Sequence, residues 1–228
     1  MHLMKRVWCF ARTHGGMSKL KREADAHLDS PAQLVSLIFR YNGSTLRPLQ
    51  IEEELTSLIR DVRTLKPQTV LEIGTAHGGT LFLWTRLAQQ NAVIVSVDLP
   101  GGKFGGGYPK RRATIYRRFT GKNQKLYLLR ENSHSPSTLD KTKKLFGGKP
   151  VDLLFIDGDH TFEGVKMDWE MYSPLVRPGG MVAFHDIAGN YDDTQVKRLW
   201  DSIKSGFKHN EYALDPTGYY GIGVLTKI

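Results

Sequence analysis

The chain of 228 residues contains 40% hydrophobic and 24% charged residues, and its formal net charge is +9. These proportions are typical of a soluble globular protein, and the length suits one α/β domain with a small N-terminal appendage. No apolar run approaches the roughly 20 residues of a membrane helix, and the start of the chain lacks the apolar core of a secretory signal. We therefore expect a cytoplasmic protein without a membrane partner. The single cysteine excludes an internal disulfide and a multi-cysteine metal site.

The first part of the chain predicts two helices. Asp29 and Ser30 are candidate N-caps, and Pro31 suits the first turn of a helix. Residues 49–65 repeat apolar side chains at helical spacing, which indicates an amphipathic second helix. These helices are expected to cover a core that the later segments build.

After Pro67 the sequence alternates short apolar runs with helical segments, which indicates a mostly parallel sheet. Two further apolar runs at the end of the chain predict a closing antiparallel strand pair. The expected fold class is α/β, with a Rossmann-like, doubly wound, mostly parallel seven-stranded sheet and an antiparallel C-terminal strand pair. The predicted strands are residues 69–74, 93–99, 125–130, 151–157, 180–186, 211–215 and 220–227, and the predicted helices lie near 80–90, 110–119, 137–146, 163–176 and 193–204.

A glycine-containing loop, "LEIGTAHGG", joins the first predicted strand to a helix, and such a loop lets a ligand approach the helix N-terminus. Ala76 stands where a dinucleotide-binding loop would have its second glycine. Asp98 ends the next strand, where a carboxylate can bind both hydroxyls of a ribose. Glu72 would repel a pyrophosphate but suits a sulfonium or ammonium group, which favours S-adenosylmethionine (SAM) over a nicotinamide dinucleotide. His77 is expected to cap the helix that follows.

Four motifs, "VLEIGTAHGG", "VSVDLP", "FIDGDH" and "PGGMVAFHD", occur in this order at predicted strand ends. They resemble the motifs of class I SAM-dependent methyltransferases, most closely the methyltransferase domain 24 or cephalosporin-hydroxylase-like group. The resemblance extends from about Gln50 to the C-terminus and implies a SAM-dependent methyltransferase. It implies a helical extension at 1–48 and a methyltransferase domain at 49–228. The cofactor-binding residues that it implies are Glu72, Gly74, Thr75, Gly78, Asp98, Asn132, Ser133 and Asp157.

Two aspartates, Asp157 and Asp186, end the predicted fourth and fifth strands. Ligands of open α/β sheets bind beyond the carboxyl ends of the strands, so the two carboxylates are expected to lie close together and to need a cation or ligand. Strand alternation would point His185 away from Asp186 unless the chain bends there. Asp159 and Thr161 are expected to cap the helix after the fourth strand.

Two chemical interpretations remain open for this strand-end cluster. In the first, Asp157 and Asp186 bind Mg²⁺ or Mn²⁺ with His185 or His160, and the ion activates a substrate hydroxyl. The resemblance favours this interpretation, because it implies metal carboxylates at the ends of these two strands. Asp157, His185 and Asp186 are the candidate metal ligands, and His185 departs from the Glu of the family pattern. In the second, His160 or His185 is a general base held by an aspartate. Asp157, His160 and His185 are accordingly the candidate catalytic residues.

The predicted function is O-methylation of a small, anionic or sugar-derived substrate with help from a divalent metal. The alternative is nucleic-acid binding or RNA methylation by the segment from Lys103 to Arg130, which contains nine Lys and Arg and no acidic residue. Its aromatic residues resemble loop and core residues more than a base-stacking platform. A homo-oligomer is compatible with the sequence.

Overall fold

Seven strands form one sheet in the computed structural model, which describes residues 16–41, 45–102, 107–189, 194–214 and 218–228. The strands are β1 (Thr69–Ile73), β2 (Val93–Val97), β3 (Lys125–Leu129), β4 (Val151–Ile156), β5 (Val176–His185), β6 (Lys208–Tyr212) and β7 (Ile222–Thr226). Their order across the sheet is β3-β2-β1-β4-β5-β7-β6. Strands β1 to β5 are parallel, whereas β7 runs antiparallel to β5 and β6. The predicted fold class is confirmed.

Helices cover both faces of this sheet. They are α1 (residues 16–26), α2 (Pro31–Arg40), α3 (Glu52–Leu65), α4 (Gly79–Leu87), α5 (Ala113–Tyr116), α6 (Pro136–Phe146), α7 (Phe162–Tyr172) and α8 (Val196–Ile203). Within the described ranges, no helix is long and apolar enough to span a membrane.

The core consists of two apolar layers, one on each side of the sheet. Val70 of β1 belongs to the layer that contains residues of α1 to α5, and its neighbour Leu71 belongs to the layer that contains residues of α6 to α8. Because both faces of the central strands are buried, these strands are mostly apolar and do not alternate between apolar and polar residues. The two N-terminal helices belong to the first layer, and Arg86 of α4 pairs with Asp25 of α1 at 3.0 Å.

Several predicted boundaries are wrong. The helix predicted at 163–176 ends at Tyr172, because Pro174 has no N–H for the α-helical pattern and the chain tightens into a 3₁₀ turn. Strand β6 lies three residues before its predicted position, at Lys208–Tyr212, since a mostly exposed edge strand gives no apolar signal. The helix predicted at 110–119 shortens to a 3₁₀ turn and the four-residue α5.

Candidate active site

The site lies at the carboxyl edge of the sheet, between β1 and β4. These two strands are hydrogen-bonded neighbours, with Ile73 opposite Ile156, and the strand order reverses between them. In open α/β sheets, this topological switch point is where ligands bind. A cavity of about 180 Å³ opens there, lined by the ends of β1, β2 and β4 and by residues 131–134.

Two glycines after β1 are required by close contacts with neighbouring residues. Gly74 has φ +89°, and a methyl group on it would overlap the carbonyl oxygen of Asp157. Gly78 has φ +82°, and a methyl group there would lie 2.7 Å from the ring of Tyr116. Ala76 also adopts a left-handed conformation, with φ +42°, so it occupies a glycine-like position without being glycine. The loop is therefore held against the loop that follows β4.

Asp98 anchors this glycine loop from the end of β2. Its Oδ2 accepts a hydrogen bond from the Ala76 N–H at 3.1 Å, and the side chain lines the cavity. Burial raises the pKa of the Asp98 carboxyl above its usual value, although hydrogen bonds from the Ala76 and Thr75 backbone oppose the shift. An acceptor at the end of β2 is thus available to a ligand in the cavity.

Glu72 is a predicted cofactor residue that does not line the cavity. Its carboxylate is completely buried between β1 and α4, where Oε1 accepts hydrogen bonds from Thr80 Oγ1 at 2.7 Å and Trp84 Nε1 at 2.9 Å. Burial raises the pKa of Glu72 to about 8. The Glu72 side chain therefore links β1 to the first two turns of α4.

Other predicted cofactor residues follow β1 and β3. Thr75 is buried, and its hydroxyl hydrogen-bonds to that of Ser96. Asn132 and Ser133 line the cavity, and the Asn132 side-chain oxygen accepts a hydrogen bond from the His134 N–H at 2.9 Å. The prediction that His77 caps α4 is wrong, because the N-cap is Gly78 and the His77 ring contacts the Arg47 carbonyl at 3.2 Å.

A bend after β5 brings two aspartates and two histidines together. Asp186 adopts a left-handed conformation, with φ +64°, so that it and the preceding His185 reach the same place. His185 Nδ1 lies 3.0 Å from Asp157 Oδ1 and 3.1 Å from Asp186 Oδ1. His160 Nδ1 lies 3.0 Å from Asp186 Oδ2, and its Nε2 lies 3.6 Å from Asp157 Oδ1.

Opposite charges dominate the electrostatics of this cluster. Burial alone would raise the pKa of Asp157, but the charge of His185 and hydrogen bonds from both histidines hold it below its usual value. Burial alone would lower the pKa of His185, but the charges of Asp157 and Asp186 raise it to about 10. The same carboxylates raise the pKa of His160 against its partial burial. The arrangement therefore stabilises positive charge between the carboxylates.

Three of these residues, Asp157, His160 and Asp186, each offer one ligand atom within 4.8 Å of the others. His160 is the more accessible histidine, with 21% of its side chain exposed against 4% for His185. His185 Nδ1 already contacts both carboxylates, and its Nε2 is buried without a hydrogen-bond partner in the described part of the chain. The geometry thus favours His160 over the predicted His185 as the third ligand.

Of the two residues expected to cap the helix after β4, one caps it and the other supports the cap. Thr161 is the N-cap of α7, and its hydroxyl accepts a hydrogen bond from the Gly164 N–H at 3.1 Å. Asp159 does not cap the helix directly. Its Oδ1 accepts hydrogen bonds from the N–H and hydroxyl of Thr161, at 2.9 and 2.7 Å.

Gln50 is a site residue that sequence reasoning missed. It lies just before α3, its side chain is only 5% exposed, and its Nε2 donates a hydrogen bond to Asp157 Oδ2 at 2.6 Å. The only signal available was a polar residue between apolar ones at the start of a helix. Its partner is 107 positions away in the chain.

A comparison with protein families decides the identity of the domain. The family model Methyltransf_24, a methyltransferase domain, matches residues 71–187, which include the glycine loop and both strand-end aspartates. The chain belongs to this methyltransferase family. The resemblance seen in the sequence motifs is confirmed.

Individual relatives of this methyltransferase are distant. The uncharacterised protein y4gI of Sinorhizobium fredii is 29% identical over 146 residues, which are 62% of the present chain but only 16% of y4gI. Among solved structures, the O-methyltransferase TomG of Streptomyces achromogenes, crystallised with SAM, has a TM-score of 0.56 at 16% identity over 88% of this chain and 89% of TomG.

A second similar structure is an O-methyltransferase of Bacillus cereus in complex with SAH. It has a TM-score of 0.53 at 18% identity, over 89% of this chain and 91% of the other. At such low sequence identities, the two TM-scores show a shared fold.

In this methyltransferase, the basic segment does not form a base-stacking platform in its described part, residues 107–130. Tyr108, Tyr116 and Phe119 are buried in the core, with the Tyr108 and Tyr116 ring centroids 4.9 Å apart. Flat nucleic-acid surfaces need such rings exposed for stacking. The arrangement of these rings does not favour the nucleic-acid alternative. Residues 103–106 lie outside the described ranges.

Proposed function

We propose that the protein transfers a methyl group from SAM to a hydroxyl oxygen of a small substrate, with a divalent cation held by Asp157, His160 and Asp186. The observation that carries this proposal is the position of the three-residue cluster. It adjoins the glycine loop at the switch point of a methyltransferase fold, so a methyl donor and an acceptor could meet there.

The cavity residues suit the parts of SAM. The Asp98 carboxylate can accept hydrogen bonds from both ribose hydroxyls, as acids at the end of the second strand do in nucleotide-binding folds. Asn132 and Ser133 would border the adenine. Gly74, with no side chain, allows the cofactor to approach the backbone, and the N–H groups at the start of α4 suit a carboxylate.

The donor set suits a divalent cation. Two carboxylate oxygens and one imidazole nitrogen match Mg²⁺ or Mn²⁺ and also admit Fe²⁺ or Zn²⁺. Such a cation supplies Lewis acidity, which lowers the pKa of an acceptor hydroxyl. The ligand atoms of the three residues lie within 4.8 Å of one another, close enough to share one ion.

The remaining residues of the cluster orient these ligands. His185 and Gln50 hydrogen-bond to different oxygens of Asp157, at 3.0 and 2.6 Å, and so fix the plane of its carboxylate. Protonated His185 balances the paired negative charges from the buried side.

The acceptor is proposed to be a small hydroxyl compound, anionic or sugar-derived. The net charge of +9 would attract a negatively charged substrate, although it does not select one.

Mn²⁺ binding, followed by electron paramagnetic resonance, tests the proposal. We expect Asp157→Asn to weaken binding by at least about tenfold, since removing even a supporting residue of a metal site typically costs that much. Asp159→Asn is the matched control, because Asp159 lies two positions away and, within the described ranges, its carboxylate accepts hydrogen bonds from Thr161. Equal Mn²⁺ affinity in both variants would refute the metal site. Calorimetry with S-adenosylhomocysteine and with NAD tests the cofactor, and binding of NAD alone would refute it.

A further inference from the structure

A short segment before α3 lies across the glycine loop and is held there by backbone contacts. The carbonyl of Leu46 approaches Gly79 so closely that a methyl group on this glycine would overlap it. The carbonyl of Arg47 contacts the His77 ring at 3.2 Å. Arg112 ties the same region together by donating to the carbonyls of Thr45, at 3.2 Å, and His77, at 3.4 Å. The N-terminal side of the chain thus forms one wall of the site.

Gln50 is the last residue of this wall. Its hydrogen bond to Asp157 determines which way its side-chain amide is oriented. An ionised carboxylate only accepts hydrogen bonds, so the group 2.6 Å from Asp157 Oδ2 must be the Nε2 donor. The amide oxygen therefore points elsewhere. This Oε1 is buried and has no hydrogen-bond partner among the residues that the structure describes. An unsatisfied acceptor of this kind is costly unless a ligand supplies a donor.

The surroundings of Gln50 indicate which donor is needed. Gln50 lines a small pocket with the glycine loop, residues 74–80, and with Asp157. The first turn of α4 presents N–H groups that suit a carboxylate. An amino acid bound there by its carboxylate would carry its ammonium group nearby, and an ammonium has three donors and no acceptor.

We propose that Gln50 binds the α-ammonium group of the methionine part of SAM through Oε1 while its Nε2 positions Asp157. This inference rests on the proposed function. One amide then links cofactor binding to the orientation of a candidate metal ligand. It also gives the N-terminal part of the chain a role in the site, beyond covering the core.

The test compares two ligands by calorimetry: S-adenosylhomocysteine and its analogue in which hydrogen replaces the α-amino group. The wild type is expected to bind the analogue roughly 10- to 100-fold more weakly, the usual effect of losing a hydrogen bond to a charged group. Gln50→Met should bind S-adenosylhomocysteine more weakly and the two ligands almost equally. Gln89→Met is the control, because Gln89 is exposed and bonds to the Lys66 carbonyl and the Gln68 side chain, away from the cavity.

A Gln50→Met variant that keeps the wild-type preference for the amino ligand would overturn the inference while leaving the proposed function intact. A wild type that binds neither ligand would overturn both. Circular dichroism and urea unfolding show whether Gln50→Met is folded before its ligands are compared. Equal binding of the two ligands by the wild type would by itself overturn the inference.

Discussion

Replacing Gly74 by alanine tests the close approach on which the site depends. The residue has φ +89°, and a methyl group there would overlap the Asp157 carbonyl, which is backbone and cannot rotate away. The left-handed conformation costs a non-glycine residue about 1–2 kcal/mol, and overpacking costs about 1–3 kcal/mol more. We therefore expect Gly74→Ala to lower the free energy of unfolding by about 2–5 kcal/mol, a large share of the about 5–15 kcal/mol of a typical domain.

Gly148→Ala separates the two contributions. Gly148 has φ +78°, but nothing lies within 4 Å of a methyl group placed on it. The free energy of unfolding of Gly148→Ala should therefore fall only by the cost of the left-handed conformation, about 1–2 kcal/mol. Urea unfolding measures both losses, and calorimetry with S-adenosylhomocysteine should show weaker binding in Gly74→Ala alone. Equal destabilisation of the two variants, or unchanged ligand binding in Gly74→Ala, would refute the reasoning.

Three further predictions concern groups around the site. In urea unfolding, the stability of the wild type should fall as pH rises from about 4.5 to about 8, because folded Glu72 keeps a proton that the unfolded chain releases. The Glu72→Gln variant should lack this pH-dependent component, which amounts to up to about 1.4 kcal/mol per pH unit. Thr161→Ala should lower the free energy of unfolding by about 1 kcal/mol because it removes the side-chain cap of α7, whereas Ser30→Ala, at an N-cap without a side-chain hydrogen bond, should lower it little. Equal losses in the two variants would contradict the capping geometry. Asp168→Asn should lower the pKa of His134, measured by NMR titration, because the Asp168 carboxylate lies 3.4 Å from His134 Nε2 and raises that pKa. An unchanged value would show that the pair does not interact.

Burial explains which parts of the fold were predictable from the sequence. Strands β1 and β4 are covered on both faces, so they appear as apolar runs, and the polar residues after them mark the strand ends. Parallel strands end at one edge, which is why Asp157 and Asp186 could be expected to meet. Strand β6 is an exposed edge strand of mostly polar residues, and its position could not be deduced from apolar patterning.

Two features of the site depend on geometry that the sequence does not display. The left-handed conformation of Asp186 turns it and His185 toward the same centre, whereas strand alternation alone would separate them. The contact between Gln50 and Asp157 joins residues far apart in the chain, and no local pattern predicts such a pairing. The proposal that His160, and not the predicted His185, is the third metal ligand follows from the first of these features.

Crystals grown with S-adenosylhomocysteine and Mn²⁺ would test the central proposal most directly. The proposal predicts anomalous density at one position within bonding distance of Asp157, His160 and Asp186, beside S-adenosylhomocysteine that contacts the glycine loop and Asp98. Bound S-adenosylhomocysteine without anomalous density between the two aspartates, at saturating Mn²⁺, would contradict the metal-assisted reaction.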